Sequence, residues 1–206
     1  MSEAAPTAAA LTPAAQATRT SIMETADRLY RTLGIHKTTV ADIARELRMS
    51  PANVYRFFPS KAAITEAIAE ALLDQILAGI WGIARSDRPA PDRLRALAQL
   101  LQEQTIALFF HERRMHDMVT VAMDEHWSAI ERYKSSLEQA ILLIVRDGMT
   151  EGTFGGMPPE QASRLIHSAW ILFIHPVLVE QCQDTEDLPA LAQAMAEFCL
   201  RALRPD

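Results

Sequence analysis

Between Ser50 and Lys61 the segment SPANVYRFFPSK sets three short side chains, an amide, a phenol and two cations within twelve positions. Short side chains at the start of a helix allow close approach to a surface. Polar groups behind them can reach base edges, and cations at the margin can meet phosphates. That combination is what a helix needs to enter the major groove of double-stranded DNA. The chemistry open to this set is recognition of a polyanion and not the breaking of bonds.

Other reactive residues are poorly spaced for chemistry. His111 and His116 in HERRMH stand five apart, about 140° from eclipse on a helix, whereas a zinc-binding helix uses a spacing of four. His126, His167 and His175 fit no ligand spacing either, so no metal and no cofactor is expected. No Ser, Cys or His stands in a nucleophile motif, so no catalytic residue is assigned and the chain does not read as an enzyme. Cys182 and Cys199 are too few and too far apart for a disulfide framework, which points to a reducing, cytoplasmic setting.

Charge is divided unevenly along the chain. Residues 19–62 hold eight Lys or Arg against four Asp or Glu, and residues 63–206 hold twelve against twenty-one. A small basic module on a larger acidic body calls for a polyanion partner at the module alone. The most apolar segment, Leu165 to Val179, carries His167, Ser168, His175 and Pro176 and falls short of the ~20 residues that cross a bilayer. No membrane partner is expected.

The elements that must position these groups read as helices throughout. Gly is scarce, and Ala, Leu, Glu, Gln and Arg are abundant, which favours an all-α fold. Residues 1–18 read as a disordered tail, with no basic residue and with Pro6 and Pro13. From Arg19, the apolar set Ile22, Ala26, Leu29, Tyr30 and Leu33 makes a first helix, closed by Gly34. Thr39 with Asp42 forms a capping box for a short second helix whose buried stripe is Val40, Ile43, Ala44 and Leu47. Ser50 caps and Pro51 starts a third, running to about Phe57, and Pro59 stops it. A long fourth helix carries Ile64, Ile68, Leu72 and Ile76 to about Ala84. Further helices are expected over 92–110, 112–123, 124–146, 159–181 and 188–203, about nine in total. The Gly- and Pro-rich DGMTEGTFGGMPPE is a connection.

Two short helices joined by a tight turn, packed behind a three-helix core, have the form of a helix-turn-helix. In detail, TTVADIARELRMSPANVYRFFPSKAAI resembles the DNA-binding region of the tetracycline repressor (TetR) family of bacterial regulators. Gly34, Thr39, Val40, Ile43, Ala44, Tyr55, Phe58 and Lys61 match that family's pattern. The resemblance implies a DNA-binding domain over 19–64 and a helical ligand-binding and dimerisation domain over 65–206. It also implies that Thr39 caps the second helix and touches a phosphate. Ser50, Pro51, Ala52 and Asn53 would face the groove, Tyr55 and Lys61 would bind phosphates, and Arg56 would sit at a base edge or the backbone. Arg48 joins this set as a phosphate contact or a solvated cation. Phe57 stands where the family often has His, so one polar contact is missing and the operator sequence cannot be borrowed.

One short recognition helix reads few base pairs, so such modules work in two-fold pairs with half-sites ~34 Å apart. The apolar stripes Leu165, Ile166, Ala169, Trp170, Phe173 and Val177, with Leu191, Met195 and Phe198, are the expected homodimer interface, or else an internal core. The middle helices resemble the family's effector-binding region. There Phe109, Phe110, Met115, Met118, Met123 and Trp127 would line a pocket for a small apolar effector. The resulting expectation is a cytoplasmic transcriptional regulator, a repressor released from a palindromic operator by that effector. An activator or ligand-independent regulator on the same fold, and a helical protein-interaction module without DNA binding, stand as alternatives.

Overall fold

A computed structural model describes residues 12–107, 128–182 and 187–205. The described residues form nine helical segments and no strand: α1 (Pro13–Leu33), α2 (Val40–Glu46), α3 (Pro51–Tyr55), α4 (Lys61–Ala84), α5 (Ala90–Ile106), α6 (Ser128–Thr150), α7 (Pro159–Ile174), α8 (Pro176–Cys182) and α9 (Leu188–Ala202). The all-α expectation holds. The chain divides into two compact units, Met1–Ile68 and Ala69–Asp206, with the boundary inside α4.

In the first unit, helix starts before the expected position. Residues 13–18, expected within a disordered tail, are helical: α1 begins at Pro13, because the Thr12 hydroxyl accepts the Ala15 N–H at 3.3 Å and Pro13 sits where no N–H is needed. At the other end, the Gly34 N–H donates to the Tyr30 carbonyl at 3.0 Å, and Gly34 adopts φ 97° and ψ 149°. That combination is open almost only to glycine. Ile22, Ala26, Tyr30, Ile43, Ala44, Val54, Phe58 and Ile64 are all buried, each large aliphatic stabilising the fold by roughly 1.5–3 kcal/mol. Inside this core Thr65 Oγ lies 3.3 Å from Tyr30 Oη, so the phenol is not left unpaired.

α3 ends at Tyr55, two residues before the expected Phe57. The Phe57 N–H has already turned to the Val54 carbonyl at 3.0 Å. α4 starts at Lys61, where Ser60 Oγ accepts the Ala63 N–H at 3.0 Å. α4 is long and apolar enough to cross a membrane by length and composition alone. Its Ile76, Ile80 and Ala84, however, belong to the buried core of the second unit.

That second core joins Leu94, Leu97 and Leu101 of α5 to Leu137, Ile141 and Ile144 of α6, Ile166, Trp170 and Phe173 of α7, and Ala196, Cys199 and Leu200 of α9. One cation is buried beside it. Arg93, 4% exposed, donates to the Ala84 carbonyl (2.8 Å), Asp147 (2.7 Å) and Glu151 (3.2 Å). It thereby ties the end of α4 and the start of α5 to the end of α6. A buried charge needs such partners, since removing them would leave it uncompensated.

The helix expected over 159–181 is two helices. Pro176 disfavours helical geometry at the residue before it, and His175 accordingly adopts φ −89° and ψ 120°, ending α7. The helix expected over 112–123 lies outside the described residues, as do the last residues of 92–110 and the first of 124–146.

Candidate nucleic-acid interface

The interface is built on α2, the four-residue connection Leu47 to Ser50, and α3. Thr39 caps α2 in both directions: its hydroxyl accepts the Asp42 N–H at 3.2 Å, and its N–H donates to Asp42 Oδ2 at 3.0 Å. The same hydroxyl gives its one hydrogen to Asp42 Oδ2 at 2.6 Å. Asp42 Oδ1 takes a third partner, the Arg45 guanidinium. The Thr39 hydroxyl, then its N–H, then Arg45 hold the Asp42 carboxyl down to about 2.

Between the helices the chain reverses through Arg48, whose φ of 54° is the one positive value outside glycine among the described residues. The Met49 N–H closes this turn on the Ala44 carbonyl at 2.9 Å. Ser50 then caps α3 by accepting the Asn53 N–H at 3.2 Å, with Pro51 at the first helical position. Val54 is fully buried and fixes α3 against the core, which leaves Ser50, Pro51, Ala52, Tyr55 and Arg56 exposed. Tyr55 is 51% exposed, so its phenol is free to meet a partner. Phe58, three residues on, is buried and carries the Arg19 guanidinium 4.7 Å over its ring. Phe57 is half-buried.

The expected DNA-binding residues therefore fall into two groups. Arg48, Ser50, Pro51, Ala52, Tyr55 and Arg56 present exposed side chains on α3 and its flanking turn. Thr39, equally exposed, and the half-buried Asn53 and Lys61 have polar atoms engaged by other groups of the protein. Asn53 Nδ2 reaches Met49 Sδ at 3.7 Å and its Oδ1 accepts from Arg56 at 3.4 Å, while the half-buried Lys61 donates to the Ile35 carbonyl. Sequence reading missed Arg45 as a paired cation, although its i, i+3 spacing from Asp42 is visible in the stretch DIAR. It also missed the Arg28–Glu46 pair at 3.0 Å, which ties α1 to α2.

In the second unit, the expected dimer residues separate by side. Ile166, Trp170 and Phe173 are buried inside the protomer's own core, which makes them unavailable to a second chain. Leu165 (52% exposed) and Phe198 (66% exposed) face out, together with Ile171, which sequence reading did not single out. Ala169, Leu191 and Met195 are half-buried, and the Val177 side chain lies outside the described set. The six expected pocket residues, Phe109, Phe110, Met115, Met118, Met123 and Trp127, all lie outside the described residues. Among the described residues, no three His, Cys, Asp or Glu gather to hold a metal. Burial pushes the Tyr133 phenol up to about 12 and lowers the His167 and His175 imidazoles.

Residues 22–68 match the family model for bacterial regulatory proteins of the tetR family, and residues 90–199 match the tetracyclin repressor-like C-terminal domain. A nucleoid occlusion factor, SlmA of Photobacterium profundum, is 36% identical over 76 residues; the match takes in 37% of this chain and only 39% of that protein's length. The transcriptional repressor KstR2 of Rhodococcus jostii is 25% identical over 163 residues, covering 74% of this chain and 76% of KstR2. Among solved structures, the regulator FadR of Bacillus subtilis in complex with stearoyl-CoA shares the fold, with a TM-score of 0.62 at 16% identity over 90% of this chain and 99% of that one.

Proposed function

Since the chain belongs to the TetR family of DNA-binding transcriptional regulators, we propose that it is a cytoplasmic repressor that holds a palindromic operator as a homodimer and is released by a small apolar effector. The observation that carries this reading is the exposed set on α3 and its turn. Val54 anchors the helix while Ser50, Ala52, Tyr55 and Arg56 are left for DNA. Arg48, Tyr55 and Lys61 are the proposed phosphate contacts, and Ser50 to Asn53 with Arg56 the groove-facing set.

The dimer is assigned to the outward face of α7 and α9, through Leu165, Ala169, Ile171, Leu191, Met195 and Phe198. Solvent exposure of Leu165 and Phe198 supports it, because covering a large exposed apolar side chain with a partner removes its surface from water. The effector is assigned to the unit Ala69–Asp206. KstR2's role as a repressor and the stearoyl-CoA bound to FadR, a charged molecule with a long apolar acyl chain, support a repressor that takes a ligand at least partly apolar. For release, that ligand must bind the DNA-incompetent state more tightly, and each tenfold preference supplies ~1.4 kcal/mol of shift. The domains are taken as 19–64 for DNA and 65–206 for ligand and dimer.

The test is selection of sites from random duplex DNA by the purified protein at two salt concentrations. An enriched inverted repeat whose binding weakens steeply with salt is the expected result. Folded protein that enriches nothing would sink the operator reading. The nucleoid occlusion relatives favour a second reading, a chromosome-associated factor that does not act at promoters. Mapping occupied sites on the chromosome separates the two, since a repressor occupies few sites and those lie at promoters.

A further inference from the structure

The residues at the start of α2 carry an inference about how strongly this protein grips DNA, and it rests on the DNA-binding reading above. In a helix-turn-helix the first helix crosses the phosphate backbone. Two groups at α2 suit a phosphate: the Thr39 hydroxyl and the Arg45 guanidinium, which is 76% exposed. Both are already engaged. The Thr39 hydroxyl has one hydrogen and gives it to Asp42 Oδ2 at 2.6 Å, and Arg45 donates to Asp42 Oδ1. The Thr39 hydroxyl cannot serve a phosphate without leaving the carboxylate, and Arg45, although its guanidinium keeps other N–H donors, meets one with its charge already offset by Asp42. The other acid on α2, Glu46, is held by Arg28 at 3.0 Å and touches neither group.

We propose that Asp42 is a built-in competitor for DNA phosphate, holding the Thr39 hydroxyl and the Arg45 guanidinium until a phosphate displaces it, and so sets the strength and salt dependence of DNA binding. The carboxylate resembles a phosphate oxygen pair in charge and in the donors it accepts. A phosphate that meets Arg45 shares the guanidinium with a carboxylate or replaces it, and the gain is smaller than for an unpaired cation. The exchange also leaves a negative charge beside the DNA backbone, within the ~10 Å over which 0.1 M salt leaves charges in contact.

Capping alone does not require this charge. A neutral amide at position 42 keeps an oxygen for the Thr39 N–H but cannot hold a guanidinium by charge. Asp42→Asn therefore separates the two roles, and Asp42→Glu keeps both, since Glu also closes a capping box.

The experiment is a salt titration of binding to mixed-sequence duplex DNA, read by fluorescence anisotropy, with thermal melts of each variant. Mixed-sequence DNA suffices because phosphate contacts do not depend on sequence. Asp42→Asn is expected to bind on the order of tenfold more tightly near 0.1 M salt. Its plot of log affinity against log salt should be steeper by ~0.9, the value for one more uncompensated positive charge at the DNA backbone, and Asp42→Glu should stay at the wild-type affinity. Arg45→Gln should cost little in the wild type and several-fold more in the Asp42→Asn background. If the wild type binds and Asp42→Asn gains neither affinity nor slope, or if Arg45→Gln costs the same in both backgrounds, the competitor role is overturned while the DNA reading stands. If the folded wild type shows no salt-dependent binding at all, the DNA reading fails and takes this proposal with it.

Discussion

The Lys61 ammonium donates to the Ile35 carbonyl, twenty-six residues back along the chain, and so ties the start of α4 to the turn after α1. Family resemblance implies a phosphate contact for this lysine, and the geometry gives it a structural duty first. Lys61→Met removes a charge-assisted hydrogen bond and leaves a half-buried carbonyl unpaired. It should lower unfolding free energy by about 1–2 kcal/mol, measured by urea titration, as well as weakening DNA binding. Tyr55→Phe, by contrast, touches an exposed phenol and should weaken DNA binding about three- to tenfold with an unchanged urea midpoint. Equal stability of Lys61→Met and wild type would remove the structural duty.

Arg48 makes the turn at φ 54°, where a side chain costs about 1–2 kcal/mol that glycine does not bear. Arg48→Gly should therefore raise stability, by roughly 0.5–1 kcal/mol once the freer unfolded chain is counted. The same change should reduce DNA affinity and flatten the salt dependence by ~0.9 if the guanidinium meets a phosphate. Opposite movement of melting temperature and affinity is the expected signature, and a drop in both would show that the Arg48 side chain supports the fold.

Gly148 lies under the Phe154 ring. A Cβ built there would stand 2.1 Å from Phe154 Cδ2, and both the Thr153 and Phe154 N–H groups donate to the Gly148 carbonyl, at 2.9 and 3.0 Å. The ring cannot retreat easily, since Phe154 is buried in the second core. Gly148→Ala should cost about 2–3 kcal/mol, read as a lower urea midpoint. Pairing it with Phe154→Leu should recover part of the loss, and a Gly148→Ala protein as stable as wild type would contradict this packing.

Burial raises the Tyr133 phenol from 10.0 to about 12. A raised folded value means that stability is intact below pH 10, where both states are neutral, and is lost as pH climbs toward 12, where the unfolded chain ionises first. Urea midpoints should accordingly fall between about pH 10 and about pH 12, and Tyr133→Phe should make that fall shallower. Tyr30, also raised by burial, contributes in the same direction, so the Tyr133→Phe difference is the quantity to compare.

How much of this was legible in the sequence depended on how local the cause was. α2 and α3 could be placed because Thr39 with Asp42 and Ser50 with Pro51 carry their caps within four residues. The same kind of signal at Thr12 and Pro13 was lost in an alanine-rich stretch that reads as tail. The His175–Pro176 break was hidden by the apolar stripe running through it, although the steric rule that breaks the helix there is local. Arg93 could not be found, because Asp147 and Glu151 lie 54 and 58 residues away. Occupancy of Thr39 and Lys61 by internal acceptors is likewise a property of the folded chain and not of residue type.

The face of α7 and α9 shows the limit most clearly. Periodicity marks Leu165, Ile166, Trp170, Phe173 and Phe198 alike as apolar, but it does not say which side of a wide stripe meets the protomer's own core. Trp170 is fully buried and Phe198 is 66% exposed, and their substitutions should accordingly part company. Phe198→Glu should leave the helical circular dichroism and the urea midpoint near wild type while shifting sedimentation from dimer to monomer. A central exposed aromatic in an interface is commonly worth 2 kcal/mol or more, on the order of thirtyfold in the dimer constant. Affinity for an inverted repeat should fall with it, since two half-sites need two linked recognition helices. Trp170→Ala should do the reverse, lowering stability by about 3–5 kcal/mol through the cavity it leaves without a charge placed at the interface. Dimeric Phe198→Glu at micromolar concentration would move the interface off this face.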